Sequence, residues 1–590
     1  MNDMEAVRKR VLAARGEVPL DTLIANTRLV NVYTGEVYPA DIGISGGFVV
    51  FAGPGRWPGP APLQRISADG KFAVPGLIDC HVHIESSMMS PAGFAAAVLV
   101  RGTTTVVTDP HEIGNVFGIA GVRYMLDATE KLPLRVFVQV PSCVPAVPSL
   151  ETAGAQFGAA EVTEMLGWDR VIGLAEVMDY VGVVQQSARM RTILEAAARK
   201  HAIISGHCPG VSGQDLAAYM VAGPTSDHES GAADELLEKL RLGMVVEGRV
   251  SSFSESMSLL GPLVKKWGAA PTNLVFCTDD IWPDDLFRYG HMDRVVREAI
   301  DNGFPPVEAI RAATLHGALR YGLTELGAVA PGKRADLLLA SDLESLQVEE
   351  VWVDGQRVAR HGELTVELSK VPSEIETSNS VVVRPPLSAK DLQLAARPGH
   401  ARERLRVVVL EPSGLRGLAE VELPVVDGMV DLSSQSDLCW LAVVERHGRN
   451  GNRSLSLVRG LELREGAVAS TVAHDSHNLV LAGRSVDDML LAAQHLARIG
   501  GGVCCVRAGQ VLASLPLPIA GLMSPLPAEE MVAKLDSLRA ALATLGLHPV
   551  RGLAGVFGLA LPVIPHFGVT DLGTVDVDKQ IVLPVWADEG

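Results

Sequence analysis

Between residues 75 and 324 the chain alternates short apolar runs with longer stretches of mixed polarity. Eight runs have strand length: GLIDCHVH, TTVVTDPHE, LRVFVQVP, VIGLAEVM, AIISGHCPG, the short run before SDHE, GMVVEGR and NLVFCTDD. The segments between them are long enough for crossover helices, so the pattern predicts a (β/α)8 TIM-type barrel, an α/β fold. Residues 21–74 give shorter β-type runs (TLIANTRLVNV, ADIGISGGFVVFAG). Residues 325–375 (GAVAPGKRADLLLA, VWVDGQRVARHGEL) read as strands returning to the same small flanking β domain. Beyond the polar linker SEIETSNS, residues 385–590 read as an additional C-terminal α+β domain. Residues 1–20 read as a charged N-terminal surface helix.

Composition then removes several function classes. A chain of 590 residues is too long for one core, and with 47% hydrophobic and 20% charged residues it is globular. A formal net charge of -18 argues against a nucleic-acid partner, which needs a basic surface. The seven cysteines include an adjacent pair, Cys504 and Cys505, and no C-x-x-C spacing, which is the free-thiol usage of a reducing compartment. The N-terminal segment lacks the apolar core of a signal peptide. The uncharged stretch from Ala508 to Ala528 is broken by Pro516, Pro518, Pro525 and Pro527, so it reads as buried strands and turns and not as a membrane span. The expectation is a cytoplasmic protein. Gly327 to Lys333 has phosphate-loop spacing, but Arg334 stands where a Ser or Thr would hold magnesium, and the segment reads as a turn.

The chemistry lies where the runs end. Most of the eight runs finish in a residue able to bind metal or move protons: His83, Asp109, Glu176, His207, His228 and Asp279. In barrel enzymes the strand C-termini form one mouth, so these residues converge although they are far apart in sequence. His81 and His83 form an H-x-H pair that strand alternation places on one face, able to hold a single cation. A lone buried histidine is more often a satisfied core residue, and a lone strand-end aspartate a helix cap; the coincidence of five such positions favours a site.

PGLIDCHVH, the two later histidines and the strand-eight aspartate together resemble the amidohydrolase superfamily over the whole barrel and the flanking β domain. The resemblance implies that His81, His83, His207, His228 and Asp279 hold one or two divalent metals. Many superfamily members place a carboxylated lysine at the end of strand four; Glu176 stands there instead and can bridge two cations through its two oxygens. HVHIESSM, TDPHEIGNV, GHCPG, SDHE and CTDD resemble adenine deaminases in particular. HDSHN (residues 474–478), PLPIAGLMS and, more loosely, PHFGVTDLG extend that likeness through the C-terminal domain. EGRVSSFSES after strand seven departs from the pattern.

That resemblance implies hydrolysis of adenine to hypoxanthine and ammonia, in purine salvage, by a homodimer. It favours two manganese or iron ions per subunit; the donor set itself would also suit zinc. The mechanism expected is attack by a metal-activated hydroxide on C6, with Asp279 moving a proton to the leaving ammonia. Ring contacts are expected from Glu229, Glu85, His111 and Glu112, with Asp109, Asp280, His474 and His477 as further substrate-binding candidates. HDSHN is expected either as a lid over the mouth or as a surface loop. Among rivals, the common amide hydrolases are disfavoured by Glu176, and adenosine deaminases by the extra domains. The nucleic-acid-editing deaminases are disfavoured because no P-C-x-x-C follows His83-Ile84-Glu85. Another amidohydrolase acting on a different aminated heterocycle or cyclic amide is the alternative, and a non-catalytic metal-binding descendant is disfavoured by the filled ligand set.

Overall fold

The computed structural model describes residues 4–369, 375–411 and 415–588, and the eight apolar runs form its central wall. The strands are β1 (Leu77–Val82), β2 (Thr103–Thr108), β3 (Arg135–Val140), β4 (Val171–Val177), β5 (Ile203–Gly206), β6 (Ser226–Asp227), β7 (Val245–Arg249) and β8 (Leu274–Cys277). β1 to β5 pair in parallel, as do β6 to β8. The two halves meet where Thr225 N donates to Ile204 O at 2.9 Å, beside the β5–β6 junction. The ring closes at the other seam, where Val82 and Asp279 form a parallel bridge and Asp279 N donates to His81 O at 2.9 Å. A closed parallel barrel has no free edge, and its strands are covered inside and out, which is why their sequences are nearly continuous in apolar residues.

The flanking sheet is made from both sides of the barrel sequence. Thr22–Asn31 and Phe72–Pro75 lie in it, and Leu337–Ala340 runs antiparallel to Phe72–Pro75 with Leu337 opposite Pro75. The chain leaves this sheet through Gly76, where a Cβ would sit 2.2 Å from Thr104 Oγ1, so a side chain cannot be accommodated without displacing β2. Arg135 at the start of β3 reaches Asp336 and Asp354, at 3.1 and 2.6 Å, and ties the barrel to the sheet. The phosphate-loop-like segment is a turn: Lys333 Nζ donates to Thr324 O and Gly332 N to Val49 O.

The C-terminal region is a nine-stranded sheet with Gln510–Pro516 at one edge and Met429–Val430 at the other. Helix Ala528–Thr544 joins it to the barrel. Arg539 pairs there with the buried Asp284, and Arg288 with Asp536 at 2.6 Å. After Pro516 the stretch that ends near Ala528 runs through buried turns, and Ser524 bridges to Met89 just beyond β1. Among the described residues no helix is long and apolar enough to cross a membrane.

Candidate metal centre

Each strand end delivers its polar residue to the same mouth. His81, the fifth residue of β1, and His83, just past its end, are both almost fully buried, with ring centroids 4.7 Å apart. Glu176 comes from β4, His207 follows β5, His228 follows β6 and Asp279 lies two residues beyond β8. Asp279 has φ 58°, a left-handed conformation that Asp tolerates better than most residues. Its backbone is pinned on both sides by β1, with Asp279 N donating to His81 O and His83 N donating to Asp279 O. That lock aims the carboxylate inward.

Glu176 occupies the middle. Its Oε1 lies 3.4 Å from His83 Nε2 and 3.9 Å from His81 Nε2. Its Oε2 lies 2.7 Å from His207 Nδ1 and 3.4 Å from His228 Nε2. Asp279 Oδ1 faces the first pair, 3.2 Å from His83 Nε2 and 3.5 Å from His81 Nε2. The two oxygens of one carboxylate therefore face two different histidine pairs. Burial works to raise the Glu176 pKa, but the surrounding imidazoles, His207 foremost, hold it well below the usual carboxylate range.

These residues fit a divalent cation. Both ring nitrogens of His81 are buried without a hydrogen-bond partner, as is Asp109 Oδ1. An unsatisfied buried polar atom costs about 1–3 kcal/mol, and a cation is the partner that imidazole nitrogens and carboxylates share. Ligand atoms of His81, His228 and Asp279 lie within 4.8 Å of one another, and so do those of Glu176, His207 and His228. The nitrogen and oxygen donors suit manganese, iron and zinc alike.

The other candidates surround this centre. Glu85 and Ser86 lie on the turn Ile84–Ser87, and His111 and Glu112 begin helix His111–Phe117 after β2. Ser86 Oγ lies 2.6 Å from Glu112 Oε1 and 2.5 Å from Asp280 Oδ1. The hydroxyl thus links the two carboxylates at the rim of the centre. Burial pushes the Glu112 carboxyl up, and burial together with Glu112 pushes that of Glu85 up to about 8. Asp109 accepts from His111 Nδ1 at 3.1 Å, and its backbone carbonyl lies 2.9 Å from His83 Nδ1. HDSHN is not a surface loop: Asp475, His477 and Asn478 are buried, His474 is nearly so, and the segment packs against the mouth. His474 Nδ1 and His477 Nε2 each come within 3.7 Å of Glu112. The loosely matching ending also reaches the barrel, since Asp571 Oδ1 accepts from Thr152 N and Thr570 Oγ1 donates to Leu150 O.

Sequence reasoning missed Arg249 and Glu247. Arg249, the last residue of β7, forks onto Glu229 through both terminal nitrogens and reaches Asp279 Oδ2 at 2.6 Å. Burial opposes the charge of both acids, yet the guanidinium outweighs it and holds Glu229 below, and Asp279 well below, the usual range. Glu247, two residues earlier on the same face, lies 3.4 Å from His228 Nδ1 and 3.3 Å from the buried Arg320 Nε. A carboxylate behind a ligating histidine fixes its tautomer and ring orientation. The available signal was the run VVEGR, where alternation puts two charges on the inward face of an apolar strand.

Comparison with known proteins gives a consistent result. Residues 72–358 match the amidohydrolase family, and residues 415–581 match the adenine deaminase C-terminal domain. The adenine deaminase of Moorella thermoacetica is 41% identical over 575 residues, covering 97% of this chain and 96% of that protein. The adenine deaminase of Nitratidesulfovibrio vulgaris is 43% identical over 571 residues, covering 96% of each. Among solved structures, a β-aspartyl dipeptidase from Fervidobacterium islandicum is similar over 59% of this chain and 99% of its own, at 16% identity and a TM-score of 0.44.

Proposed function

The chain belongs to the adenine deaminase family, and we propose that its buried centre, charged with divalent metal, hydrolyses adenine to hypoxanthine and ammonia. The observation that carries the reading is Glu176, whose two oxygens face separate histidine pairs. His81, His83, Glu176 and Asp279 would hold one cation, and Glu176, His207 and His228 a second. Manganese or iron is the metal favoured. A divalent cation supplies one thing here: it lowers the pKa of bound water to about 7, giving a nucleophile at neutral pH.

The side chains around it divide the remaining work. Asp279 accepts the proton of the attacking water and returns it to the departing amine, which requires one carboxylate within reach of both. Arg249 lowers the basicity of Asp279 and orients it. Glu229, held ionised by the same guanidinium, suits accepting a hydrogen bond from the amino group and does not suit giving a proton to the ring. Glu85 is the better donor to N1, because its carboxyl at about 8 stays protonated at neutral pH. Glu112, Asp109, His111, Asp280, His474 and His477 line the mouth around the centre and are the further candidates for contact with the substrate.

The chain is divided as residues 1–20, 21–74 with 325–375, 75–324 and 385–590 in this reading. The seven buried free thiols support a reducing, cytoplasmic setting. A homodimer and a role in purine salvage are part of the proposal, on the family resemblance alone. Ammonia release from adenine, by protein loaded with manganese or ferrous iron beside a chelated control, tests the proposal, with adenosine and cytosine in parallel. Metal-dependent turnover of adenine alone is expected. Metal binding without turnover of any of the three would overturn the substrate and turn attention to other aminated heterocycles and cyclic amides.

A further inference from the structure

His111 stands between two carboxylates from different domains. Its Nδ1 lies 3.1 Å from Asp109 Oδ2, in the barrel, and 3.5 Å from Glu176 Oε1. Its Nε2 faces Asp475 Oδ1 at 3.5 Å. Both partners are buried, and a buried carboxylate is costly unless something polar meets it. The segment carrying Asp475 is held from every side. His474 N donates to Phe557 O at 2.9 Å, and Asn478 Nδ2 donates to Thr152 O at 2.9 Å. Arg446, fully buried, donates to the carbonyls of Ser380, Thr471, His477 and Ala520.

We propose that Asp475, delivered by the C-terminal domain, is the positioning residue that fixes His111 against Glu176, making that domain part of the working site. The inference rests on the metal-dependent reading above. The neighbouring set of Glu112, His474 and His477 invites a different reading, a separate cation site, because its ligand atoms also lie within 4.8 Å. His477 excludes itself from that role. Its Nδ1 accepts from Ala473 N at 3.1 Å, so the ring proton sits on Nε2, the nitrogen facing Glu112. A nitrogen that carries a proton cannot ligate. Asp475 acting through His111 is what remains: His111 faces the ligating Glu176, and the outer partners of a metal-ligating side chain have a known scale of effect. Removing such a partner costs about 10–100-fold in metal affinity or activity.

The test is a double-mutant cycle on the manganese-loaded, full-length protein with Asp475→Asn, His111→Asn and the pair. Turnover of adenine is read beside manganese retention against a chelator, with Asp475→Glu as the conservative variant and the thermal midpoint recorded for each. The expected result is a roughly 10–100-fold fall in turnover or manganese retention for D475N, partial rescue by D475E, and no further loss when D475N is added to H111N. Losses that multiply, or D475N behaving as the unaltered protein in both readouts, would overturn the inference. If the unaltered protein itself fails on adenine, the substrate assignment falls separately, and manganese retention still decides the role of Asp475.

Discussion

Replacing Arg249 with Met isolates the least expected contact of the centre. The side chain is only 12% exposed, and it is the cation between Glu229 and Asp279, whose side chains are 24% and 7% exposed. Methionine keeps most of the volume and removes the charge, leaving two buried carboxylates without it. Breaking a buried pair in this way costs about 3–5 kcal/mol. The partial exposure of Glu229 places the expectation near the lower figure, about 3 kcal/mol for the metal-free protein. A loss of that size lowers the unfolding midpoint of a barrel-sized domain by about 6–12 °C. Divalent metal supplies a replacement cation to Asp279, so the deficit shrinks on loading, by mass action on the native state.

The pH dependence gives an independent check of the same cause. In the unaltered protein Arg249 depresses the pKa of Glu229 and Asp279. Their contribution is therefore present above the ordinary carboxylate pKa, about 4, and is lost as pH falls through the depressed folded values. Without the guanidinium only the neighbouring histidines oppose burial, so both pKa values stand higher than in the unaltered chain, and the penalty of R249M is largest at neutral pH and shrinks as acidification protonates the carboxylates. Thermal melts of metal-free protein between pH 7 and 5 should show the gap between R249M and the unaltered chain closing. Equal midpoints at pH 7, or a gap that widens on acidification, would refute the reasoning.

Glu176→Gln should lower bound metal at least ten-fold, measured by elemental analysis after gel filtration, because an amide cannot bridge as a carboxylate does; full metal with full turnover would remove the bridge. Glu247→Gln removes the charge behind His228 Nδ1 and leaves Arg320 buried without its carboxylate, so a loss of about 10–100-fold in metal affinity or turnover is expected by titration and steady-state kinetics. If Glu85 donates to the ring, turnover by the loaded protein falls as pH rises above about 8, where that carboxyl ionises. Glu85→Gln, which cannot release a proton, should lower turnover and erase that limb of the profile, and an unchanged limb would assign it to another group.

Much of this centre could be read from the sequence because a parallel barrel is local in the relevant sense. Each apolar run ends in the residue that faces the mouth, so His81, His83, Glu176, His207, His228 and Asp279 could be placed by counting strands. β6 shows how far that goes: it has only two residues, and they are the SD of SDHE and not the run before it, yet His228 still follows the strand directly. Arg249 resisted for the opposite reason. Its partners lie 20 and 30 residues away, and only the side-by-side pairing of β6, β7 and β8 brings Glu229, Asp279 and the end of β7 together. HDSHN was harder still. Polar, glycine-free and distant in sequence, it has the composition of a surface loop, and its burial depends on a domain contact that no local pattern encodes.

Charge balance shows why those missed residues matter to the ones that were found. Glu176, Asp279, Glu229, Glu247, Asp109 and Asp475 put six carboxylates around one mouth, all but Glu229 nearly fully buried. Uncompensated, such a set would protonate in part, and protonated carboxyls neither bridge nor hold cations. Arg249 neutralises the rim at Glu229 and Asp279, Arg320 neutralises Glu247 from within the barrel, and His111 stands between Asp109 and Asp475. Among the described residues Glu176, at the middle, has no Arg or Lys in its ion pairs, only imidazoles. The fixed cations thus satisfy the periphery and leave the centre to be completed by metal. This distribution predicts that loss of an outer cation such as Arg249 should impair stability before it impairs metal binding, whereas loss of Glu176 should do the reverse.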